Sequence, residues 1–232
     1  MISFVVPAYN EEKYLGPTLD AVHAAARAAG EDYEIVVADD ASTDATAGIA
    51  AQHGARVVRV DNRQIAATRN AGARAATGDR IIFVDADTTV NPALIAEALM
   101  AFRGGAVGGG APVRIDPAPR WAHAFMKLFV PLYFGLARWA AGCFVFCTRE
   151  AFEAAGGFDE RYYASEEVHF SKALKRVGRF VMLKTFVVSS ARKLEGRSAG
   201  QMLRITAWVL AGGDRGLRRR GSHTAFWYPD RR

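Results

Sequence analysis

The chain has 232 residues, which fits one α/β domain or one domain with a modest appendage. Of these residues 50% are hydrophobic and 23% are charged, a composition that excludes a disordered chain. Its two cysteines, Cys143 and Cys147, exclude a disulfide-rich scaffold, and we expect two buried thiols in a reducing environment. The formal net charge of +6 is concentrated after Arg192, in a tail that fits anionic headgroups, phosphorylated substrates or a plain solvated end.

The chain opens directly on a strand-like run, without the basic segment and apolar stretch of a secretory signal. We therefore expect a cytoplasmic protein, with peripheral contact at the inner membrane surface as an open alternative. Runs rich in β-branched residues predict four strands: Ile2–Val6, Glu34–Ala38, Val57–Val60 and Arg80–Val84. Alanine-rich stretches between them predict three helices: Glu11–Ala29, Ala45–His53 and Gln64–Ala76. This alternation predicts a parallel sheet with helices on both faces, whose ligands bind beyond the carboxyl ends of the strands.

Acidic side chains follow three of these four strands. The first strand runs into Pro7–Glu12, the second into Asp39–Asp44, and the fourth into Asp85-Ala86-Asp87. Carboxylates are depleted in strands and costly to bury without a partner. Asn10 and Asp44 could each be an ordinary helix cap. Taken together, the three clusters predict a binding site at one rim of the sheet.

The pattern changes after residue 104. Gly104–Gly110 is interpreted as a glycine-rich connector, followed by a strand near Ala111–Ile115 and another at Gly142–Cys147. The apolar, aromatic stretch Trp121–Ala141 predicts a helix broken near Pro131. Charged residues interrupt that stretch, whereas a transmembrane span needs about 20 apolar residues. It is therefore interpreted as packed on the sheet, with an interfacial or acceptor-facing helix as the alternative.

The last third of the chain predicts further elements: a helix at Glu166–Val177, strands at Phe180–Leu183 and Phe186–Ser189, and an amphipathic helix at Ser198–Leu210. We divide the chain into a donor-binding half over residues 1–103, an acceptor-side and catalytic half over 104–190, and a C-terminal helix with a basic aromatic tail over 191–232.

The spacing of the acidic residues suggests separate tasks. Two carboxylates in Asp-x-Asp, Asp85 and Asp87, fit a Mg²⁺ or Mn²⁺ ion that bridges diphosphate oxygens. Asp39-Asp40 suit hydrogen bonds from a base or a ribose. Arg69 is a candidate for a phosphate contact or for an ion pair that organises the rim. Glu166-Glu167, at the start of a helix, are candidates for a general base.

The ordered set of motifs resembles glycosyltransferase family 2, the inverting enzymes of the GT-A fold. The likeness covers residues 2–178 and rests on these segments: Val5–Glu12, Val37–Asp44, Arg69–Gly72, Thr77–Asp87, Gly156–Glu160 and Glu166-Glu167. The resemblance implies a Rossmann-like, mainly parallel sheet with a small acceptor-side subregion. It also implies a UDP- or GDP-sugar donor, a divalent metal, and a hydroxyl acceptor that is a saccharide or lipid-linked, with no nucleic-acid partner.

The resemblance also implies roles by position. Those for the donor nucleotide fall on Pro7, Tyr9, Glu11, Asp39, Asp40, Arg69 and Asp85, and those for the metal on Asp87 and Asp85. In the family a Glu-Asp pair usually ends with the base, so here that position falls on Glu167, with Glu166 as the alternative. Some GT-A enzymes place a late histidine on the metal, and His223 is the candidate here. Arg192 and Lys193 lie beyond the range of the resemblance and are candidates for binding the diphosphate or a phosphorylated acceptor, with an ordinary surface position as the equal alternative.

Other classes explain less of the pattern. A nucleotidyltransferase would carry a glycine-rich, basic loop after its first strand, where this chain has the acidic Pro7–Glu12. A dinucleotide-dependent oxidoreductase would need G-x-G-x-x-G at the same turn. A non-catalytic membrane-surface protein would account for the basic tail but not for the acidic strand ends.

Overall fold

The computed structural model describes residues 1–116, residues 138–194, and positions 200, 201, 204 and 218. Most of the predicted helix Trp121–Ala141 lies outside these residues, and its described end, 138–141, is not helical. Most of the predicted helix Ser198–Leu210 and nearly all of the basic aromatic tail also lie outside them. Within the described residues, no helix is both long and apolar enough to cross a membrane.

The described elements, numbered in chain order, are β1 (Ile2–Ala8), α1 (Leu15–Ala29), β2 (Tyr33–Asp40), α2 (Thr46–Gln52), β3 (Arg56–Val60), α3 (Ile65–Ala75), β4 (Arg80–Val84), β5 (Thr88–Thr89), α4 (Pro92–Arg103), β6 (Gly108–Gly110), β7 (Val113–Ile115), β8 (Phe144–Thr148), α5 (Arg149–Ala154), α6 (Glu166–Val177), β9 (Phe180–Met182) and β10 (Val187–Ser189). The four strands and three helices predicted before residue 104 are confirmed, with ends shifted by a few residues. The helix Glu166–Val177 is confirmed at both ends.

The central sheet has the strand order β3-β2-β1-β4-β8-β6-β9. Strands β1 to β4 are parallel, and β8 runs antiparallel to both of its neighbours. The predicted α/β architecture with a mainly parallel sheet is therefore confirmed. Because the first four strands are parallel, their carboxyl ends lie at one edge, where the acidic segments follow.

The strands bury side chains on both faces of the sheet. In β1, Phe4 and Val6 pack in one hydrophobic cluster with residues of α1 and α4, whereas Val5 packs in the other with residues of α3 and α6. Helix α3 approaches closely at Gly72, where an added Cβ would lie 2.5 Å from a methyl carbon of Val5. This close contact fixes the height of α3, and hence of Arg69 and Asn70, relative to the rim.

The prediction that Gly104–Gly110 is only a connector is wrong, because Gly108–Gly110 is strand β6, buried between β8 and β9. Its composition hid it, since glycine is depleted in strands. The neighbours supply the missing bulk: an added Cβ at Gly109 would lie 2.5 Å from the ring of Phe146. Helices α4 and α5 were not predicted at all, although Asn91 caps α4 by accepting a hydrogen bond from the Leu94 N–H.

A small second sheet, ordered β5-β10-β7, lies beyond the end of β4. Strand β10 pairs antiparallel with β5, so that Ser189 lies opposite Thr88. The next residue, Ser190, donates its N–H to the backbone carbonyl of Asp87 at 3.1 Å. The chain then enters a 3₁₀ turn, Ala191–Leu194. This register brings residues that are late in the chain to the carboxyl rim of the central sheet.

Candidate active site

The backbone at the rim turns sharply. Asn10 after β1, Ala41 after β2, Arg63 after β3 and Ser165 before α6 all have φ between 52° and 60°, in the left-handed region. Non-glycine residues adopt this region rarely, and such residues cluster at functional sites, where the surrounding structure enforces them. Hydrogen bonds enforce them here: the Asn10 N–H donates to Ser42 Oγ at 3.0 Å, and the Thr43 N–H donates to Asn10 Oδ1 at 2.9 Å.

Asp40 is fully buried and is occupied by the protein itself. Its Oδ1 accepts the N–H groups of Asn62 and Arg63 at 2.7 and 2.9 Å, and its Oδ2 accepts the Thr68 hydroxyl at 2.9 Å. Asp40 therefore shapes the loop between β3 and α3. The neighbouring Asp39 accepts only the Ser42 N–H among the described hydrogen bonds, at 3.2 Å. Asp39 is thus the better placed of the pair to receive a ligand.

Arg69 connects two parts of the rim that are distant in sequence. It is 2% exposed, its Nη1 donates to Glu166 Oε1 at 2.5 Å, and its Nη2 donates to Asp85 Oδ1 at 2.8 Å. Nη2 also donates to the Gly142 carbonyl at 3.0 Å. Burial alone would lower the pKa of this guanidinium, but Asp85 and Glu166 raise it above its ordinary value. Arg69 is therefore a permanent cation within an acidic cluster.

The loop before α6 is held by side chains of α3. Asn70 donates from Nδ2 to the Phe158 carbonyl and accepts the Phe158 N–H at Oδ1, both at 2.8 Å. Gln64 donates from Nε2 to the Tyr162 carbonyl at 2.6 Å. These contacts fix the start of α6, where Glu166 is buried and Glu167 is half-buried. Neither Asn70 nor Gln64 was predicted to have this task, although Asn70 stands in the motif Arg69–Gly72.

A second arginine lies between the other two acidic segments. Arg192 makes two parallel hydrogen bonds to Glu11, Nη1 to Oε2 and Nη2 to Oε1, each 2.6 Å long. Its Nε lies 2.7 Å from Oδ2 of Asp87, whose side chain is 2% exposed. Burial raises the pKa of Glu11 above its ordinary value, and Arg192 offsets this only in part. Burial would lower the pKa of Arg192, whereas Glu11 and Asp87 raise it.

A divalent cation fits the donor set at the end of β4. Within the described chain, neither carboxylate oxygen of Asp87 accepts a hydrogen bond, although both are buried. Arg192 balances the charge of Asp87, but both carboxylate oxygens keep unused acceptor sites, and hard oxygen ligands suit Mg²⁺ and Mn²⁺. No cluster of three or more acidic, histidine or cysteine ligands is assembled among the described residues. If an ion binds, Asp85 and Asp87 would therefore supply only part of its coordination, and oxygens of a bound ligand or of water would supply the rest.

The structure brings together most of the predicted site residues at one rim: Glu11, Asp85, Asp87, Arg69, Glu166 and Glu167. Pro7 is buried near the end of β1, and Tyr9 is half-buried just beyond it. His223 and the side chain of Lys193 lie outside the described residues. The two cysteines are buried, as predicted, and burial raises the pKa of the Cys147 thiol.

Solved structures share this fold. A mannosyltransferase from Pyrobaculum calidifontis, crystallised with GDP-Man and Mn²⁺, superposes with a TM-score of 0.69 at 21% identity, over 97% of this chain and 66% of that one. The S. aureus TarS fragment with UDP-GlcNAc superposes with a TM-score of 0.63 at 22% identity, over 84% of this chain and 59% of that one. At these identities the likeness concerns the fold alone.

Sequence comparison gives closer relatives. Undecaprenyl-phosphate 4-deoxy-4-formamido-L-arabinose transferase of Pseudomonas paraeruginosa is 35% identical over 153 residues, covering 62% of this chain and 45% of that protein. Validoxylamine A glucosyltransferase of Streptomyces hygroscopicus subsp. limoneus is 34% identical over 110 residues, covering 45% of this chain and 24% of that protein. The chain therefore matches less than half the length of either relative. Residues 3–155 match the family described as glycosyl transferase family 2, and the chain belongs to that family.

Proposed function

We propose that this protein transfers a sugar from a UDP- or GDP-sugar to an acceptor hydroxyl, with inversion at the sugar carbon and with a divalent metal. The observation that carries the proposal is the bridge made by Arg69, which joins Asp85 at the end of β4 to Glu166 at the start of α6. This bridge supports the proposal because it joins the segment of Asp85 and Asp87, whose carboxylates suit a metal ion bound to a diphosphate, to the segment of Glu166 and Glu167, whose carboxylates suit proton removal. The relatives and the fold neighbours support the same reaction class.

The donor half of the site would be formed by the segments after β1, β2 and β4. The carboxylate of Asp40 is occupied by backbone N–H groups. The groups proposed to contact the base or the ribose are therefore Asp39 and Tyr9. Asp85 and Asp87 would hold Mg²⁺ or Mn²⁺, which supplies charge neutralisation to the departing diphosphate. These assignments divide residues 1–103 from 104–190 as a donor side and an acceptor side.

The base is assigned to Glu167. The Glu166 carboxylate is buried against Arg69, and this ion pair holds it directed into the protein. Glu167 is half-buried on the next position of α6, so it is the carboxylate that an acceptor can reach. The acceptor oxygen bonds to the sugar carbon as the carbon–oxygen bond to the diphosphate breaks. The hydroxyl proton passes to Glu167, and the bond's electron pair leaves with the nucleoside diphosphate. A single displacement of this kind inverts the carbon.

Nucleotide binding tests the proposal directly. We expect saturable binding of UDP or GDP that requires Mn²⁺ or Mg²⁺ and is lost in Asp87→Ala, because the metal's buried ligand is removed. Isothermal titration calorimetry measures this, and unchanged thermal unfolding checks that the variant is folded. If the wild-type protein binds neither nucleotide with either metal, the transferase proposal is wrong.

We also propose that the acceptor is lipid-linked and that α6 faces an anionic membrane surface. Exposed basic side chains lie close together in the second half of α6 and in the segment just before β8. Lys172 lies with its Nζ 5.3 Å from the centre of the Trp139 ring. Partial burial and then the charges of Arg138 and Lys172 lower the pKa of Lys175, which shows how closely these cations are spaced. A cluster of cations beside a half-buried tryptophan is complementary to anionic headgroups, and the name of the Pseudomonas relative specifies undecaprenyl phosphate.

Vesicle binding tests this surface. Each basic residue near an anionic membrane contributes about 1 kcal/mol, so K172E/K175E should weaken binding to phosphatidylglycerol vesicles by about thirtyfold or more. The control is R56E/R59E, which reverses two exposed charges on β3, at the opposite edge of the sheet. Equal losses in both variants, or no binding by the wild-type protein, would remove the membrane from the proposal.

A further inference from the structure

Arg192 occupies the space between the acidic segments where the proposed site needs a cation. It lies in the 3₁₀ turn that follows β10, and the pairing of β10 with β5 directs this turn toward Asp87. Its side chain is 27% exposed and contacts Glu11 and Asp87 together. The guanidinium carbon also lies 5.0 Å from the centre of the Tyr14 ring. Arg192 is therefore held by three partners at once.

The contact with Asp87 differs from the contact with Glu11. Both oxygens of Glu11 accept well-formed hydrogen bonds from the terminal nitrogens. In contrast, Nε lies 2.7 Å from Asp87 Oδ2, but its N–H does not point at that oxygen, and neither oxygen of Asp87 accepts a hydrogen bond among the described residues. The charge of Asp87 is thus balanced while its hydrogen-bonding capacity is unused. Exchanging the cation at Asp87 breaks no hydrogen bond of that carboxylate, whereas a move of Arg192 to a diphosphate replaces its two hydrogen bonds to Glu11 by hydrogen bonds to phosphate oxygens.

We propose that Arg192 is an internal counter-ion that competes with the divalent metal for Asp87, and that it moves to the donor's diphosphate when metal and donor bind together. This inference rests on the proposed function. A divalent ion on Asp87 and a guanidinium 2.7 Å from its Oδ2 repel each other, so binding of the ion favours displacement of the guanidinium. A guanidinium is suited to the next step, because its planar donors match phosphate oxygens in pairs. Arg192 thus balances the charge of the metal site before the donor binds. The affinity of the site for the metal alone is therefore low, and it is higher for the metal together with a diphosphate.

The variant R192Q separates this exchange from a structural role. Without nucleotide, we expect Mn²⁺ to bind R192Q about tenfold more tightly than the wild-type protein, because the competing charge is gone. With saturating Mn²⁺, UDP or GDP should bind R192Q about tenfold more weakly, because the diphosphate loses a charged partner. Calorimetry measures both, and the electron paramagnetic resonance signal of free Mn²⁺ measures the first independently. A merely structural arginine would weaken both affinities together.

The matched control is R80Q. Arg80 has nearly the same side-chain exposure, 26%, and also pairs with a glutamate, Glu31, but at the amino end of the sheet. R80Q should leave both affinities unchanged. If R192Q does not fold, the wild-type protein carries the test: added Mg²⁺ should shift one arginine Nε–H signal in its nitrogen-15 spectrum, and this signal should be absent from R192K.

The outcomes distinguish the two proposals. If the wild-type protein shows no metal-dependent nucleotide binding, the proposed function fails, whereas the Mn²⁺ measurement on R192Q still has a definite result. If the wild-type protein binds nucleotide and R192Q binds Mn²⁺ no more tightly, the exchange is wrong and the proposed function stands. The same conclusion follows if R192Q binds nucleotide as well as the wild-type protein does, or if Mg²⁺ leaves the arginine signal unmoved.

Discussion

The two ends of the central sheet both carry clusters of charged residues, but they use them in opposite ways. At the amino end, Glu34 accepts hydrogen bonds from Ser3, Thr77 and the Gly78 N–H. Although partial burial raises the pKa of Glu34, these hydrogen bonds lower it below its ordinary value. At the carboxyl end, burial raises the pKa of Glu11, and Asp87 accepts no hydrogen bond among the described residues.

The difference separates stability from binding. A carboxylate whose pKa is lowered by folding stabilises the folded state at neutral pH, whereas one whose pKa is raised makes the folded state less stable there. The amino end is therefore satisfied by its own hydrogen bonds. The carboxyl end keeps acids near one another with two arginines as counter-ions, an arrangement that a cation and a diphosphate can complete. Substitutions at the two ends should accordingly change different measured quantities.

The largest expected effect is on catalysis at the carboxyl end. Glu167→Gln removes the proposed base and should lower kcat by about 10²- to 10⁴-fold, while UDP or GDP binding stays unchanged. Steady-state kinetics and calorimetry measure these quantities. The control is Glu166→Gln, which weakens the ion pair with Arg69 and should lower the free energy of unfolding. Full activity of Glu167→Gln would place the base elsewhere.

The next effect is on the stability of the same end. Arg69→Met leaves Asp85 and Glu166 without their buried counter-ion and should lower the free energy of unfolding by about 3–5 kcal/mol at neutral pH. Urea unfolding measures this. Arg69→Lys keeps the charge and should be less damaging. A methionine variant as stable as the wild-type protein would mean that the arginine serves ligand binding alone.

The smallest effect is expected at the amino end. Glu34→Gln replaces charge-assisted hydrogen bonds by weaker ones and should cost about 1–3 kcal/mol of stability at neutral pH, with no change in nucleotide binding. Because folding lowers the pKa of Glu34, its contribution is present above the ordinary pKa of a glutamate and is lost as the pH falls through the lower folded value. Unfolding curves of the two proteins should therefore converge in acid. If the difference in the free energy of unfolding between the two proteins is the same at every pH, the loss comes from side-chain packing and not from charge.

The sequence alone was sufficient where the signal is local. Strand Arg80–Val84 and helix Glu166–Val177 follow from the residue types and the hydrophobic periodicity of those segments themselves. The structure has both with the predicted bounds. The acidic rim also followed, because the carboxyl ends of parallel strands share one edge. Strand Gly108–Gly110 did not follow, because its identity depends on the side chains of β8 and the backbone of β9 that fill the space around it.

The sequence by itself determined which residues carry charge and which strand ends present it. Only the tertiary structure decided how those charges are paired. Arg69 is 97 residues from Glu166, and Arg192 is 181 residues from Glu11, so no spacing rule connects them. The order of strands in the central sheet sets the first pair, and the register of β10 on β5 sets the second. Ion pairs act over a few ångströms of space, and distance along the chain fixes that space only within a single element.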